Sequence, residues 1–342
     1  MKVLFDINHP AHFHFFKKPA EILISEGHQV IFTAREKECA VDLFEGSGFI
    51  PHVLSSASSG FFGLLTELFV HNYYLWRFVR CYKPDVMVAI GGTFIAHVGL
   101  FSRVPSLAFY DTEHAILQNA ITYPFLNLLC VPECYQGWLP TNSERYRGYH
   151  ELSYLAPNRF SPSREVAVRS GVDLTQKNFI VRVVSWQSNH DLNDCGWNEI
   201  LLSALVDKLQ LMGNVIISSE RELPSPLASL KYKGLVGDLH HVLAYCDLFV
   251  GESATMASEC AVLGIPALYV ANVGRGYIDD QQKYGLAQFI DRLNYETISS
   301  AIDAFLSIDR QEILRRRMKL LGESVDVADY AVKKITGLMK SG

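Results

Sequence analysis

Gly251, Ser253, Ala254, Thr255 and Glu259 follow the short apolar run Leu248-Phe-Val250 at a spacing that suits a nucleoside diphosphate. The run reads as a parallel strand. The small residues after it leave backbone N–H groups at the next helix N-terminus open to a diphosphate, which meets the positive end of the helix dipole there. Glu259 shares a helix face with Thr255, and its carboxylate can accept hydrogen bonds from two ribose hydroxyls. The plain alternative is an ordinary strand-turn-helix with a solvated Glu259.

Three histidines form a second cluster. In Asp6-Ile-Asn-His9-Pro-Ala-His12-Phe-His14 they crowd the loop between a first strand and a first helix. A metal would need further carboxylate or thiolate ligands that the chain does not place, so no metal is assigned. General acid/base work or substrate contact is the better reading, with His12 favoured because it sits where the helix begins. Asp111-Thr-Glu113-His114 follows the strand 106–110, and Glu113 is the second catalytic candidate. These acids could equally cap the next helix. His9, His14, Gly92 and His114 are the remaining candidates on the acceptor side. In the second half, Ser185 and His190, with Asp191, can reach a phosphate or sugar hydroxyl, while Trp186 packs. Gln281 and Gln282 are candidates for the donor sugar, although amide pairs also occur at helix starts without a ligand.

These residues need elements that bring strand ends together. Val3-Leu-Phe5 reads as a strand, 15–26 as a helix capped by Gly27, and 28–33 as the next strand. Pro84 to Ile90 followed by Gly91-Gly92, and Ser106 to Tyr110, are further buried strands. Such alternation implies parallel sheets with right-handed crossovers, and each strand ends in polar or glycine residues where open α/β sheets hold ligands. The stretch 155–163 carries two prolines and reads as a linker. Strands at 179–184, 214–218, 248–250 and 267–270 and helices near 199–211 and 239–245 make a second α/β half. The expected fold is α/β, two Rossmann-like domains facing a cleft: 1–158 with 322–342 crossing back as a helix, and 165–321.

With 342 residues, the chain fits two domains of roughly 150 residues each. Its 31 Lys+Arg against 36 Asp+Glu, a formal charge of -5, argue against a nucleic-acid partner. The opening residues are a strand and not a signal peptide, so a cytoplasmic location is expected. The seven cysteines form no CxxC pair, and neither a disulfide nor a metal site is assigned. The aromatic stretch 60–80 carries Glu67, His71, Asn72 and Arg77 and is too interrupted to span a bilayer. It is either a buried helix or a face that rests on the inner leaflet of the plasma membrane.

The segment from Gly251 through Glu259 to Pro266 resembles the donor-nucleotide motif of GT-B glycosyltransferases, such as the peptidoglycan N-acetylglucosaminyltransferases, and equally that of UDP-N-acetylglucosamine 2-epimerases. The resemblance implies that Glu259 holds the ribose, that Ser253 and Ala254 lie at the phosphates, and that Gln281-Gln282 touch the donor sugar. It places a functional histidine at His12, in a loop where Asn8, His9 and Pro10 stand in place of the transferases' glycines, and a functional acid at Glu113. Phe5 to His12, Phe32-Thr-Ala-Arg35, Asp111 to His114 and Arg182 to Gln187 also resemble a family of predicted glycosyltransferases from polysaccharide gene clusters, over nearly the whole chain. The implied activity is metal-independent transfer of a sugar, N-acetylated by analogy, from a UDP-sugar to a glycan or lipid-linked acceptor, with no cofactor. Two alternatives remain. One is a UDP-N-acetylglucosamine 2-epimerase, although that enzyme's first-loop Arg is absent and Gly91-Gly92-Thr93 stands where its strand-end Asp would be. The other is a non-catalytic nucleotide-sugar-binding protein.

Overall fold

A computed structural model describes residues 1–36, 44, 47–56, 61–184, 197–219 and 222–340. Two compact units emerge, one made of Met1–Tyr154 with Val325–Gly342, the other of Leu155–Ser324. The first contains β1 (Lys2–Ile7), α1 (Pro10–Ser25), β2 (Gln29–Glu36), β3 (Pro51–Ser56), α2 (Phe61–Tyr82), β4 (Val86–Ile90), α3 (Thr93–Ser102), β5 (Ser106–Phe109), α4 (Ile116–Thr122), β6 (Leu128–Pro132) and β7 (Ser143–Tyr146). A short helix, α5 (Leu152–Leu155), runs to the boundary. The second contains α6 (Arg164–Arg169), β8 (Lys177–Val183), α7 (Glu199–Gln210), β9 (Gly213–Ser219), α8 (Leu239–Leu243), β10 (Leu248–Gly251), α9 (Ala254–Leu263), β11 (Ala267–Val270), α10 (Gly276–Lys283), β12 (Ala287–Ile290), α11 (Tyr295–Leu306) and α12 (Arg310–Glu323). Then α13 (Val327–Lys340) packs against α1 of the first unit.

Both sheets are parallel and Rossmann-like. The first runs β3-β2-β1-β4-β5-β6-β7 and the second β12-β11-β10-β8-β9. Their central strands, Val3-Leu-Phe5 and Leu248-Phe-Val250 among them, are buried on both faces, so they read as continuous apolar runs instead of alternating ones. Strand order reverses between β1 and β4 in one unit and between β8 and β10 in the other. At such a reversal the flanking crossovers leave to opposite faces and open a crevice beyond the strands' carboxyl ends. The loops after β1, β4, β8 and β10 are therefore the positions that topology marks for ligands.

Helix α1 starts five residues earlier than the apolar pattern predicts, at Pro10 instead of Phe15. Pro10 has the fixed φ that a first helical position needs, and His9 caps it by accepting the Ala11 N–H on Nδ1 at 3.2 Å. Pro19 lies inside the same helix and cannot donate to the Phe15 carbonyl. The Ser153 hydroxyl donates to that carbonyl instead, at 2.6 Å, and so removes a buried unpaired acceptor. Helices α12 and α13 are separated at residues 324–326. Among the described residues no helix is long and apolar enough to cross a membrane.

Candidate functional site

In the second unit, β10 delivers the nucleotide-motif residues to the switch between β8 and β10. Ser253 is the N-cap of α9, its hydroxyl accepting the Met256 N–H at 3.3 Å. That bond occupies the side chain and leaves the N–H groups of Ala254 and Thr255, at the first two helical positions, without an intrahelical acceptor. Gly251 is required by strand packing, because a Cβ there would lie 2.5 Å from the Arg182 carbonyl oxygen on β8. Glu252 then pins the end of β8 by accepting the Val184 N–H at 2.9 Å.

Glu259 is 5% exposed, so the solvated alternative fails. Its Oε1 lies 2.8 Å from Nε2 of His240, itself buried on α8. The charge-assisted contact fixes one carboxylate oxygen and sets the direction in which the acid meets any ribose. Sequence reading missed His240, because the pair spans 19 positions and only the packing of α8 on α9 joins them.

The two glutamines both take internal hydrogen-bond partners. Gln281 is fully buried and donates to the Ser258 hydroxyl at 2.7 Å, tying α10 to α9. Gln282 accepts the Phe289 N–H at 3.0 Å, which covers a backbone donor on the edge strand β12. Ser185 and His190, with Trp186 and Asp191, lie outside the described residues.

In the first unit the loop after β1 is anchored by Asp6. This carboxylate is buried, with Oδ2 accepting from Asn8 Nδ2 at 2.8 Å and Oδ1 from the Thr33 hydroxyl at 2.8 Å. Burial pushes the Asp6 carboxyl up, but His71 and these hydrogen bonds outweigh it and hold the group below the usual carboxylate range. His12 falls in the first turn of α1, and its Nδ1 faces the Asn8 N–H at 3.4 Å. Burial first, then the neighbouring His9 and His150, pull its pKa to about 3. The ring is therefore neutral at pH 7, and with Nδ1 accepting, the proton sits on Nε2. In this geometry His12 can donate a hydrogen bond from Nε2.

The other acceptor-side candidates are dispersed over this edge. His14 stacks on Tyr154 with ring centroids 5.5 Å apart. Gly92 caps α3 in the left-handed region at φ 80, and a Cβ there would meet the Ala108 Cβ at 2.8 Å. His114 is exposed and Glu113 partly buried in the loop after β5. Asp111, two residues before Glu113, pairs with a histidine: its Oδ2 lies 3.2 Å from Nδ1 of His150. His150 is buried and its Nε2 has no hydrogen-bond partner among the described residues. Asp111 opens the Asp111-Thr-Glu113-His114 motif, but His150 was not visible from it, since His150 comes from the loop after β7. Among the described residues no three His, Cys, Asp or Glu side chains converge as a metal site.

The two-unit architecture matches solved structures over the whole chain. The UDP-GlcNAc 2-epimerase of Methanocaldococcus jannaschii superimposes with a TM-score of 0.71 at 11% identity, covering 100% of both chains. A second structure of that enzyme, in complex with UDP-GlcNAc and UDP, gives 0.69 at 12% identity with the same coverage. The spinosyn rhamnosyltransferase SpnG, complexed with thymidine diphosphate, gives 0.67 at 14% identity, covering 98% of this chain and 100% of the other. In sequence, the uncharacterized protein MJ0665 of Methanocaldococcus jannaschii is 19% identical over 288 residues, 78% of this chain and 81% of the relative. The family described as protein of unknown function (DUF354) matches residues 1–318, and the chain belongs to it.

Proposed function

We propose that the protein is a GT-B glycosyltransferase that moves a sugar from a UDP-sugar to a glycan or lipid-linked acceptor without a divalent metal. The observation that carries this reading is the pairing of a capped helix N-terminus at the β8/β10 switch with a buried carboxylate, Glu259, on the same helix. The N-terminus of α9 meets the diphosphate and stabilises the charge that grows on it as the bond to the sugar breaks. Glu259, oriented by His240, receives the ribose hydroxyls. His12 donates from its Nε2–H to the sugar or acceptor. Likeness to nucleotide-bound epimerase and transferase structures supports this layout at the level of the fold. The absence of any Asp-x-Asp from the sequence supports the metal-free form of the reading.

The whole-chain similarity to the 2-epimerase favours a second reading. Gly92 weighs against it, because a left-handed backbone packed on Ala108 has no room for the acidic side chain that the epimerases carry at that strand end.

A thermal-shift panel of UDP, GDP, CMP and dTDP, each with and without EDTA, tests the nucleotide. UDP at a hundredfold excess over its Kd is expected to stabilise by about 2.7 kcal/mol, unchanged by chelator. Stabilisation by GDP alone, or its loss in EDTA, would overturn the proposal.

The acceptor is proposed to be lipid-linked because α2, α3 and α4 cover one face of the first sheet and expose Phe69, Tyr73, Leu100, Phe101, Ile116 and Leu117 on the outside. Arg77 and Arg80 lie over the rings of Tyr73 and Trp76 at 5.9 and 5.0 Å, a basic and aromatic face suited to an anionic leaflet. The protein is expected to float with phosphatidylglycerol vesicles at low salt, and Phe101→Asp with Leu117→Asp is expected to abolish this. Wild-type protein that stays at the bottom of the gradient would make the acceptor soluble.

A further inference from the structure

Three side chains from separate elements line up at the carboxyl end of the first sheet. The Ser55 hydroxyl on β3 lies 2.7 Å from Nδ1 of His71 on α2, and Nε2 of His71 lies 3.3 Å from Oδ1 of Asp6 on β1. His71 and Asp6 are both 0% exposed, and the Phe94 ring covers the imidazole at a centroid distance of 4.0 Å. Ser55 is partly exposed. The protein thus holds two sealed titratable groups, and on the His71 side the network reaches outward through a serine hydroxyl.

The hydrogen positions follow from the partners. Asp6 is held as a carboxylate and only accepts, so Nε2 of His71 carries a proton. With the proton on Nε2, Nδ1 is the lone pair at which Ser55 directs its hydrogen. Packing such a pair in the core is expensive in desolvation, and an apolar pair of similar size would usually be at least as stable. A structural role alone does not call for this choice of residues. The same network is tied to the histidine loop, since Asp6 also holds Asn8, whose N–H faces His12.

We infer that Ser55 is the residue that takes the acceptor proton, relaying it to His71 while Asp6 holds the ring. As the acceptor oxygen forms its bond to the anomeric carbon, its proton moves to Ser55 Oγ, and the Ser55 proton moves to Nδ1 of His71. The bond between the anomeric carbon and the phosphate oxygen breaks, and UDP leaves with the electron pair. His71, briefly an imidazolium beside Asp6, returns the proton through Ser55 to water. The assignment rests on the transferase reading for its substrate. The reactivity of Ser55 does not depend on that reading.

The reactivity can be read without knowing the acceptor. Diisopropyl fluorophosphate phosphorylates a serine whose proton can pass to a histidine: Oγ bonds to phosphorus, fluoride leaves and His71 takes the proton. Peptide mass analysis of the full chain is expected to find the adduct on Ser55, absent in Ser55→Ala and formed about 100-fold more slowly in His71→Asn, the scale of general-base assistance. Should His71→Asn fail to fold, Ser55→Cys is the second variant, and iodoacetamide is expected to alkylate it at least tenfold faster than the exposed Cys81. An unlabelled Ser55, or equal rates with and without His71, overturns the relay. Labelling of Ser55 in a protein that UDP does not stabilise supports the relay and overturns the transferase reading instead.

Discussion

Glu259→Ala is expected to weaken UDP binding by about 1.5–3 kcal/mol, roughly 10- to 150-fold in Kd, measured by calorimetry well below the melting temperature. The size follows from the type of bond, because hydrogen bonds to an ionised group contribute more than neutral ones. The same change removes the partner of His240, which is buried and 2.8 Å away, so some loss of stability accompanies it. Glu259→Gln separates the two effects. The amide keeps an acceptor for His240 and for one ribose hydroxyl, and should recover most of the stability and part of the affinity. Unchanged UDP affinity in Glu259→Ala at a temperature where the protein stays folded would remove the ribose role and leave Glu259 as a partner for His240 only.

The contrast between these residues and the rest of the site marks what sequence patterns carry. Parallel Rossmann-like sheets were legible because buried strands such as Val3-Leu-Phe5 and Leu248-Phe-Val250 are short apolar runs punctuated by helices, and that period is a local property. The start of α9 was legible for the same reason, although the Ser253 cap was not read from it. Partners from distant elements were not. Asp6 meets His71 across 65 positions and Asp111 meets His150 across the sheet edge, and no spacing rule encodes either. Residue type also does not show which internal partners a side chain takes. Gln281 and Gln282 have the amide chemistry to hold a sugar, but one bridges α9 and α10 and the other seals an edge strand. His12 has the chemistry of a base, but its lowered pKa and the Asn8 N–H facing its Nδ1 come from neighbours that the motif does not show.

Gly251→Ala, eight residues before Glu259, should show the opposite pattern, with stability lost first and binding only as a consequence. The added methyl would lie 2.5 Å from the Arg182 carbonyl oxygen and 2.8 Å from the Arg182 nitrogen and Cβ. Those are mostly backbone atoms of β8, paired in register with Gly251, so a side-chain rotation cannot relieve the contact. Relief would require β8 and β10 to separate at the one place where both deliver residues to the switch point. Overpacking in a well-packed core usually costs about 1–3 kcal/mol, and a clash against backbone should reach or exceed the upper end. Urea denaturation is expected to show a lower midpoint with an unchanged slope, together with weaker UDP stabilisation because the N-terminus of α9 shifts with β10. A variant as stable as the parent but unable to bind UDP would return Gly251 to the phosphate-binding role implied by its place in the motif, and would mean that the glycine there is selected by the ligand and not by the neighbouring strand.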